Sequence, residues 1–301
     1  MKYSVLLTLS LSLCLLVSAQ DDLLNELKAD ISTSTESNKI SATFKGIRLI
    51  NANTIETTKK KTLEFRITHR FGNMEIGESD GGHTLYGLDN ASNIRFSFDY
   101  GLTDKISIGL GRSKTLENID GNLKYRFLEQ KKGGLHISVA YFANAVVSAV
   151  ADIPQDKFVN RLSYTNQLII ASKINNAISL ELLPTFVHRN FVDKTAEHPK
   201  NGSTDENDIF ALGVGGRFKI TKRTAFVVDY FLPFSKFRER YNNFYESLGV
   251  GFEFETGGHV FHVNVTNSSG IIENDFIPYT NSSWEKGEYK LGFNISRVFN
   301  F

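Results

Sequence analysis

The sequence has 301 residues, a net charge of +1 with acids and bases interspersed, and a single cysteine, Cys14. This balance leaves no electrostatic footprint for nucleic acid, and the lack of cysteine after position 14 excludes disulfides, thiolate nucleophiles and Cys-based metal sites there. No stretch after Ala19 reaches the roughly 18 apolar residues that a membrane helix needs; the nearest, Val139 to Ala151, is interrupted by Asn144 and Ser148.

The N-terminus has the layout of an export signal. Lys2 is followed by the apolar run Val5–Val17 and by Val17-Ser18-Ala19, a small-residue cleavage pattern, so residues 1–19 read as a signal peptide and Gln20 as the mature start. Leu13 stands before Cys14 where lipidation requires a small residue. Residues 20–61 open polar and acidic and then turn extended between Ile40 and Asn51. They are expected to form a periplasmic or lumen-inserted segment that acts as a plug. Phe44-Lys-Gly-Ile-Arg-Leu-Ile50 is apolar enough to need cover, and Lys45 and Arg48 are expected to meet acidic lumen groups such as Glu253 or Glu255.

From Thr62 onward the hydrophobic period is two, the spacing of a strand with one apolar face. Leu63, Phe65, Ile67 and Phe71 alternate with Glu64, Arg66, Thr68 and Arg70. Ile94, Phe96, Phe98 and Tyr100 alternate with Arg95, Ser97 and Asp99. The pattern continues with Ile106, Ile108 and Leu110, then with Leu123, Tyr125 and Phe127 against Lys124 and Arg126. Leu135, Ile137, Val139 and Tyr141 come next, followed by Leu162, Tyr164, Leu168 and Ile170, where Asn166 is a blemish. Ile178, Leu180, Leu182 and Phe186 oppose Glu181; Phe210, Leu212, Val214 and Phe218 oppose Arg217 and Lys219; Phe226, Val228, Tyr230 and Leu232 oppose Asp229. Leu248, Val250, Phe252 and Phe254 oppose Glu253 and Glu255, and Phe261, Val263 and Val265 oppose His262. The last run is Tyr289, Leu291, Phe293, Ile295, Phe299 and Phe301.

A soluble sandwich shows the same alternation, so the connections decide. Short turns at 102–104, 130–134, 175–176, 221–223 and 257–258 alternate with longer stretches at 72–91, 112–118, 146–160, 189–207, 235–245 and 267–285, although 112–118 is only modestly long. Short periplasmic turns and longer outer loops are the habit of transmembrane barrels. The expected fold is therefore all-β: a transmembrane antiparallel up-and-down barrel over residues 62–301. Counting back from Phe301 gives twelve strands, an even number; the alternative makes residues 41–56 an extra hairpin and the count fourteen.

Two resemblances follow from these residues. Phe293, Ile295, Phe299 and Phe301 resemble the C-terminal signal by which outer-membrane proteins are recognised by the barrel-assembly machinery; Arg297 interrupts it at a level where a long basic side chain can snorkel. Thr43–Asn51, Thr62–Gly72, Asn93–Asp104, Ile108–Ser113 and Asp120–Phe127 resemble the DUF5777 barrel family of Bacteroidetes. That likeness implies an outer-membrane barrel of uncharacterised function, surrounded by outer-membrane lipid, and it supplies no catalytic residues.

The polar faces place Glu64, Arg66, Arg70, Arg95, Asp99, Lys124, Arg126, Glu181, Arg217, Lys219, Asp229, Glu253 and Glu255 in the lumen. One reading makes them a charged path for small solutes. The other makes them a salt-bridge network filling a narrow barrel, which then serves as a scaffold or partner in an envelope complex. An outer-membrane enzyme is the weakest reading. None of the seven histidines lies in H-E-x-x-H, there is no G-x-S-x-G, and Gly213-x-Gly215-Gly216 lacks the features of a phosphate loop. Asp80-Gly81-Gly82 and Asp205-Glu206-x-Asp208 read as solvated loops, without calcium spacing. No catalytic residue, metal site or cofactor is expected.

Overall fold

The computed structural model describes residues 42–74, 82–150 and 157–301. The signal peptide, Cys14, the start at Gln20, residues 20–41 and the Asp80-Gly81 pair lie outside the described residues.

Twelve strands form a closed barrel: β1 (Thr62–Asn73), β2 (Ala91–Gly101), β3 (Ile106–Ser113), β4 (Ile119–Leu128), β5 (Ser138–Val147), β6 (Leu162–Lys173), β7 (Ile178–Arg189), β8 (Asp208–Lys219), β9 (Thr224–Phe234), β10 (Ser247–Thr256), β11 (His259–Thr266) and β12 (Lys290–Asn300). Each is antiparallel to its sequence neighbours, and β1 pairs with β12 with Thr62 opposite Asn300 and Ile67 opposite Ile295. Closure removes every sheet edge, so the wall strands satisfy one another's backbone groups. Residues 42–61 contribute only isolated bridges, Arg48 with Asn53 and Lys60 with Gly101, so the fourteen-strand alternative does not form. Two strands begin later than their hydrophobic pattern: β5 at Ser138 rather than Leu135, and β12 at Lys290 rather than Tyr289.

The end holding Thr62 and Asn300 carries the turns at 102–105, 129–137, 174–177, 220–223 and 257–258. The opposite end carries the longer connections, among them 190–207 and 267–289, and the latter contains a short helix, α1 (Glu273–Tyr279). The first is the terminal end of the barrel and the second its loop end.

Burial is inverted relative to a soluble barrel. Phe98, Leu110, Phe210 and Phe252 point outward at 45–66% exposure, while Arg66, Arg70 and Arg95 point inward at 0–2%. An apolar exterior of this extent fits a hydrocarbon surrounding. Asn166 faces outward among apolar neighbours and accepts a hydrogen bond from the Tyr141 hydroxyl on the adjacent strand, which partners both polar groups. The ladder between β6 and β7 has one gap. Pairing runs from Ser163↔Arg189 to Gln167↔Thr185 and resumes at Ile170↔Leu182, skipping Leu183 and Pro184. Pro184 has no N–H to donate, though it keeps register with Leu212 on its other side.

Gly101, at the terminal end of β2, lies against the chain entering β1. A Cβ there would sit 1.9 Å from the Lys59 carbonyl oxygen, whereas one at Gly257 would meet nothing within 4 Å. Gly101→Ala is expected to destabilise the folded barrel by about 1–3 kcal/mol, the usual cost of overpacking. Gly257→Ala is expected to change it by under about 0.5 kcal/mol, as at an uncrowded surface position. Heat-modifiable gel mobility across a urea series measures both, and equal midpoints would contradict this account of Gly101.

Candidate functional site

The barrel is filled by its own chain. Residues 47–54 reverse direction tightly: Leu49 N–H donates to the Ala52 carbonyl at 2.9 Å, and Thr54 N–H to the Ile47 carbonyl at 3.0 Å. A reversal of this kind leaves peptide groups at its tip without partners, and the barrel wall supplies them. Asp229 Oδ2 on β9 accepts the N–H groups of Ile50, Asn51 and Ala52 at 3.0, 2.7 and 3.0 Å. Lys124 Nζ on β4 donates to the carbonyls of Ile47, Thr54 and Glu56 at 3.0, 3.0 and 3.2 Å. Arg70 Nη2 on β1 donates to the Ile50 carbonyl at 3.1 Å, and Asn294 Nδ2 on β12 to the Leu49 carbonyl at 3.1 Å. The anion thus gathers the N–H groups and the cations gather the carbonyls, with charge-assisted bonds on each side.

The side chains of the segment sort the same way. Phe44, Leu49, Ile50, Ala52 and Ile55 belong to one buried cluster with Phe142, Ile169, Leu183, Val187, Ile209, Val227 and Phe231, the apolar ones among the inward residues of β5 to β9. The remaining inward positions, on these strands and on the rest of the ring, are largely polar or charged. Arg66 pairs with Glu64 at 2.6 Å and Arg95 with Asp120 at 2.6 Å. Arg217 Nη2 lies 2.7 Å from Glu253 and 3.3 Å from Glu255, and His262 Nε2 lies 3.2 Å from Glu253. Lys45 meets Glu255 at 3.0 Å.

The loop end is closed by α1, which enters the barrel mouth. Phe276 packs edge-on against Phe231 with centroids 4.8 Å apart, and Asn274 bonds to Thr165 and Ser163 on β6. Glu273 Oε1 accepts from Asn53 Nδ2 at 2.8 Å and from Arg48 Nη1 at 3.4 Å. Arg48 therefore meets an acid in a loop helix, not Glu253 or Glu255 on the wall. Asp275 accepts from Asn118 Nδ2 at 2.8 Å, and burial, with the Asp120 carboxylate nearby, pushes its carboxyl up to about 8.

Of the residues assigned to the lumen from sequence, Glu64, Arg66, Arg70, Arg95, Asp99, Lys124, Glu181, Arg217, Asp229 and Glu253 are buried. Arg126 and Glu255 are half-buried toward the terminal end, and Lys219 is exposed at its rim. The structure brings Asp229, Lys124 and Arg70 together around one peptide hairpin, while among the described residues none hydrogen-bonds to either oxygen of Glu181. Sequence reasoning missed the apolar inner wall and the role of α1. Among the described residues, no group of three or more His, Asp or Glu is placed to hold a metal ion. On β12, Phe293, Ile295 and Phe299 share the outer face, and Phe301 is 79% exposed.

Asp229→Ala would leave the N–H groups of Ile50, Asn51 and Ala52 unpaired, at about 1–3 kcal/mol for each buried group. Amide hydrogen exchange at residues 49–54 is expected to speed up by at least about ten-fold, with the β1–β12 ladder unchanged. Thr266→Val, which removes a 3.4 Å contact to Asn51 Nδ2 and a 3.2 Å bond from Ser268 N–H but no bond to the hairpin backbone, is expected to have little effect there. Equal exchange in the two variants would show that Asp229 does not anchor the hairpin.

A search of the curated proteins finds no match to this sequence. Among solved structures, the NanC porin is 8% identical at a TM-score of 0.47, with 79% of this chain and 99% of that chain covered. The KdgM porin is 8% identical at 0.44, covering 80% and 99%. An outer membrane channel from Pseudomonas putida F1 is 10% identical at 0.46, covering 81% and 98%. Likeness at this level carries no argument about this chain. Residues 44–299, which include the lumen hairpin as well as the wall, match the family model described as a membrane bound beta barrel domain. The chain belongs to that family, DUF5777.

Proposed function

We propose that this protein is an outer-membrane barrel for the passage of small solutes that rests closed, with residues 20–61 as its stopper. The observation that carries this reading is the capture of the 47–56 hairpin by Asp229, Lys124 and Arg70. The hairpin is joined to the wall by one strand end, is held by polar bonds that water can replace, and stands where a solute would travel. The second reading, a permanently closed barrel serving as scaffold or partner in an envelope complex, is favoured by the apolar wall. Uncovering Phe142, Ile169, Leu183, Val187, Ile209, Val227 and Phe231 to water would cost on the order of 10 kcal/mol or more. That cost opposes spontaneous opening, so passage under the first reading requires something that covers this wall in turn.

Planar-bilayer recordings separate the two. Full-length protein is expected to be silent, and a variant lacking residues 20–61 to show discrete conductance steps. A folded deletion variant that stays silent would favour the permanently closed barrel. If the deletion does not fold, a full-length double variant, Ile50→Cys with Gly249→Cys, serves instead. An added Cβ at Gly249 lies 3.2 Å from Ile50 Cβ, close enough to bridge after slight adjustment. Conductance events that moderate urea evokes from the reduced form and not from the oxidised form would support the stopper, and silence of both would favour the permanently closed barrel.

The last strand is proposed to be the segment read by the barrel-assembly machinery. Phe301 N–H donates to the Lys61 carbonyl at 3.2 Å across the closing seam. Deleting Phe301 is expected to lower the folded fraction in cells several-fold more than Phe234→Ala, which removes an outward aromatic at the loop end. Equal folded fractions by heat-modifiable mobility would refute the assignment.

A further inference from the structure

The inner wall carries a row of residues whose layout goes beyond closure. Glu181 on β7 is the register partner of Gly215 on β8, Gly215 of Asp229 on β9, and Asp229 of Gly249 on β10. With adjacent strands about 4.8 Å apart, the two acids straddle Gly215 at a Cα separation of roughly 10 Å. Both glycines are notches that neighbouring groups enter. A Cβ on Gly215 would lie 2.5 Å from Glu181 Oε1 and 3.0 Å from Leu49 Cδ1, and one on Gly249 would lie 2.8 Å from Ile50 Cγ2. The next inward row toward the loop end is Leu183, Gly213 and Phe231, which begins the apolar wall.

The two carboxylates are used differently. Asp229 receives three peptide N–H groups, the positive pole of the hairpin tip. Glu181, 5% exposed, accepts no hydrogen bond from any described residue, although its side chain lies over the Gly215 notch beside Leu49. A buried acid without a partner is disfavoured, and this one sits one notch away from an acid already engaged with a positive pole. Lys124 on β4 is the cation whose charge reaches Glu181, but its ammonium is bonded to hairpin carbonyls, as is the Arg70 guanidinium, and Arg217 on β8 is held by Glu253 and Glu255.

We propose that the row Glu181–Gly215–Asp229–Gly249 is a receptor for a primary ammonium group carried on an apolar body, and that the hairpin tip occupies this receptor in the closed barrel. The ammonium supplies three N–H donors and a positive charge to Asp229 and Glu181, and the apolar body covers the wall of Leu183, Val227 and Phe231. Such a ligand removes both obstacles to opening: it replaces the N–H donors lost by Asp229, and it keeps the apolar wall out of water. The inference rests on the reading of residues 20–61 as a displaceable stopper and names the class of compound that displaces it.

The test reads amide hydrogen exchange at residues 49–54 of the full-length protein, with the receptor row intact, in lipid nanodiscs and with octylammonium as the probe. Octanoate has the same chain length and the opposite charge, and ethylammonium has the charge without the apolar body. Octylammonium is expected to speed that exchange by at least about ten-fold and the two controls by less than about two-fold. Adding Glu181→Gln is expected to weaken the octylammonium effect by about ten-fold. Equal speeding by octanoate, no speeding by octylammonium, or an effect indifferent to Glu181→Gln would each overturn the receptor. Planar-bilayer current read in parallel keeps the two ideas apart. Faster exchange without current supports the receptor and removes the passage reading, whereas current from the variant lacking residues 20–61, with no response of the full-length protein to octylammonium, keeps passage and overturns the receptor.

Discussion

In a closed barrel, every polar group that faces inward has to be matched from within, and the interior of this protein is built around that requirement. Closing β1 on β12 satisfies the wall's backbone and at the same time traps Arg66, Arg70, Arg95, Lys124, Asp229 and Glu253 away from bulk water. Part of the load is met by wall-to-wall ion pairs such as Arg95 with Asp120. The rest is met by peptide groups that the chain brings in from outside the wall. One aspartate, one lysine and one arginine accept the two poles of a tight hairpin, and the hairpin in turn gives those charges partners that a bare lumen would lack. Charge and backbone are mutually dependent here, so neither the inner wall nor the segment can be understood alone.

The same interior has a second, unlike half. Across β5 to β9 a patch of the inward residues is aliphatic or aromatic, set among polar ones such as Gln167, Thr185 and Asp229, and the segment turns Phe44, Leu49, Ile50 and Ile55 toward that patch. The lumen is thus lined like a protein core on one side and like a salt-bridged interface on the other. Its occupant is amphipathic for that reason. The loop end continues the scheme, since α1 lays Phe276 on the apolar side and offers Glu273 to Arg48 and Asn53.

Much of this was legible in the sequence, and what was missed has a physical cause. Strict alternation in β1, β2 and β10 exposes the period because a charged, polar or glycine residue follows each apolar one, and strand number follows from parity. Alternation fails to mark the inner face where both faces are apolar: Leu168-Ile169-Ile170 and Leu182-Leu183 read as continuous hydrophobic runs, so Ile169 and Leu183 gave no sign that they point inward. Asn166 looked like a flaw because its partner, Tyr141, lies on another strand. The acidic residues of the lumen were visible as residues, but their partners were not, because the N–H groups that meet Asp229 belong to the backbone and leave no trace in side-chain pattern. Helix α1 is short, has no side-chain cap and contains Pro278, so nothing local announces it; the barrel mouth that holds Phe276 and Ile277 makes it a helix.

The break opposite Pro184 marks one meridian of the tube. The pairs Leu168–Pro184 and Ile169–Leu183 are missing from a register that is otherwise kept on both sides of the gap. Proline offers no N–H, so an acceptor on the facing strand loses its donor, and in a hydrocarbon surrounding no solvent stands ready to replace it. What seals the wall at that level is the inward packing of Ile169 and Leu183, both fully buried. The apolar filling of the lumen is thus also the sealant of the one seam that the β6–β7 ladder leaves unstitched.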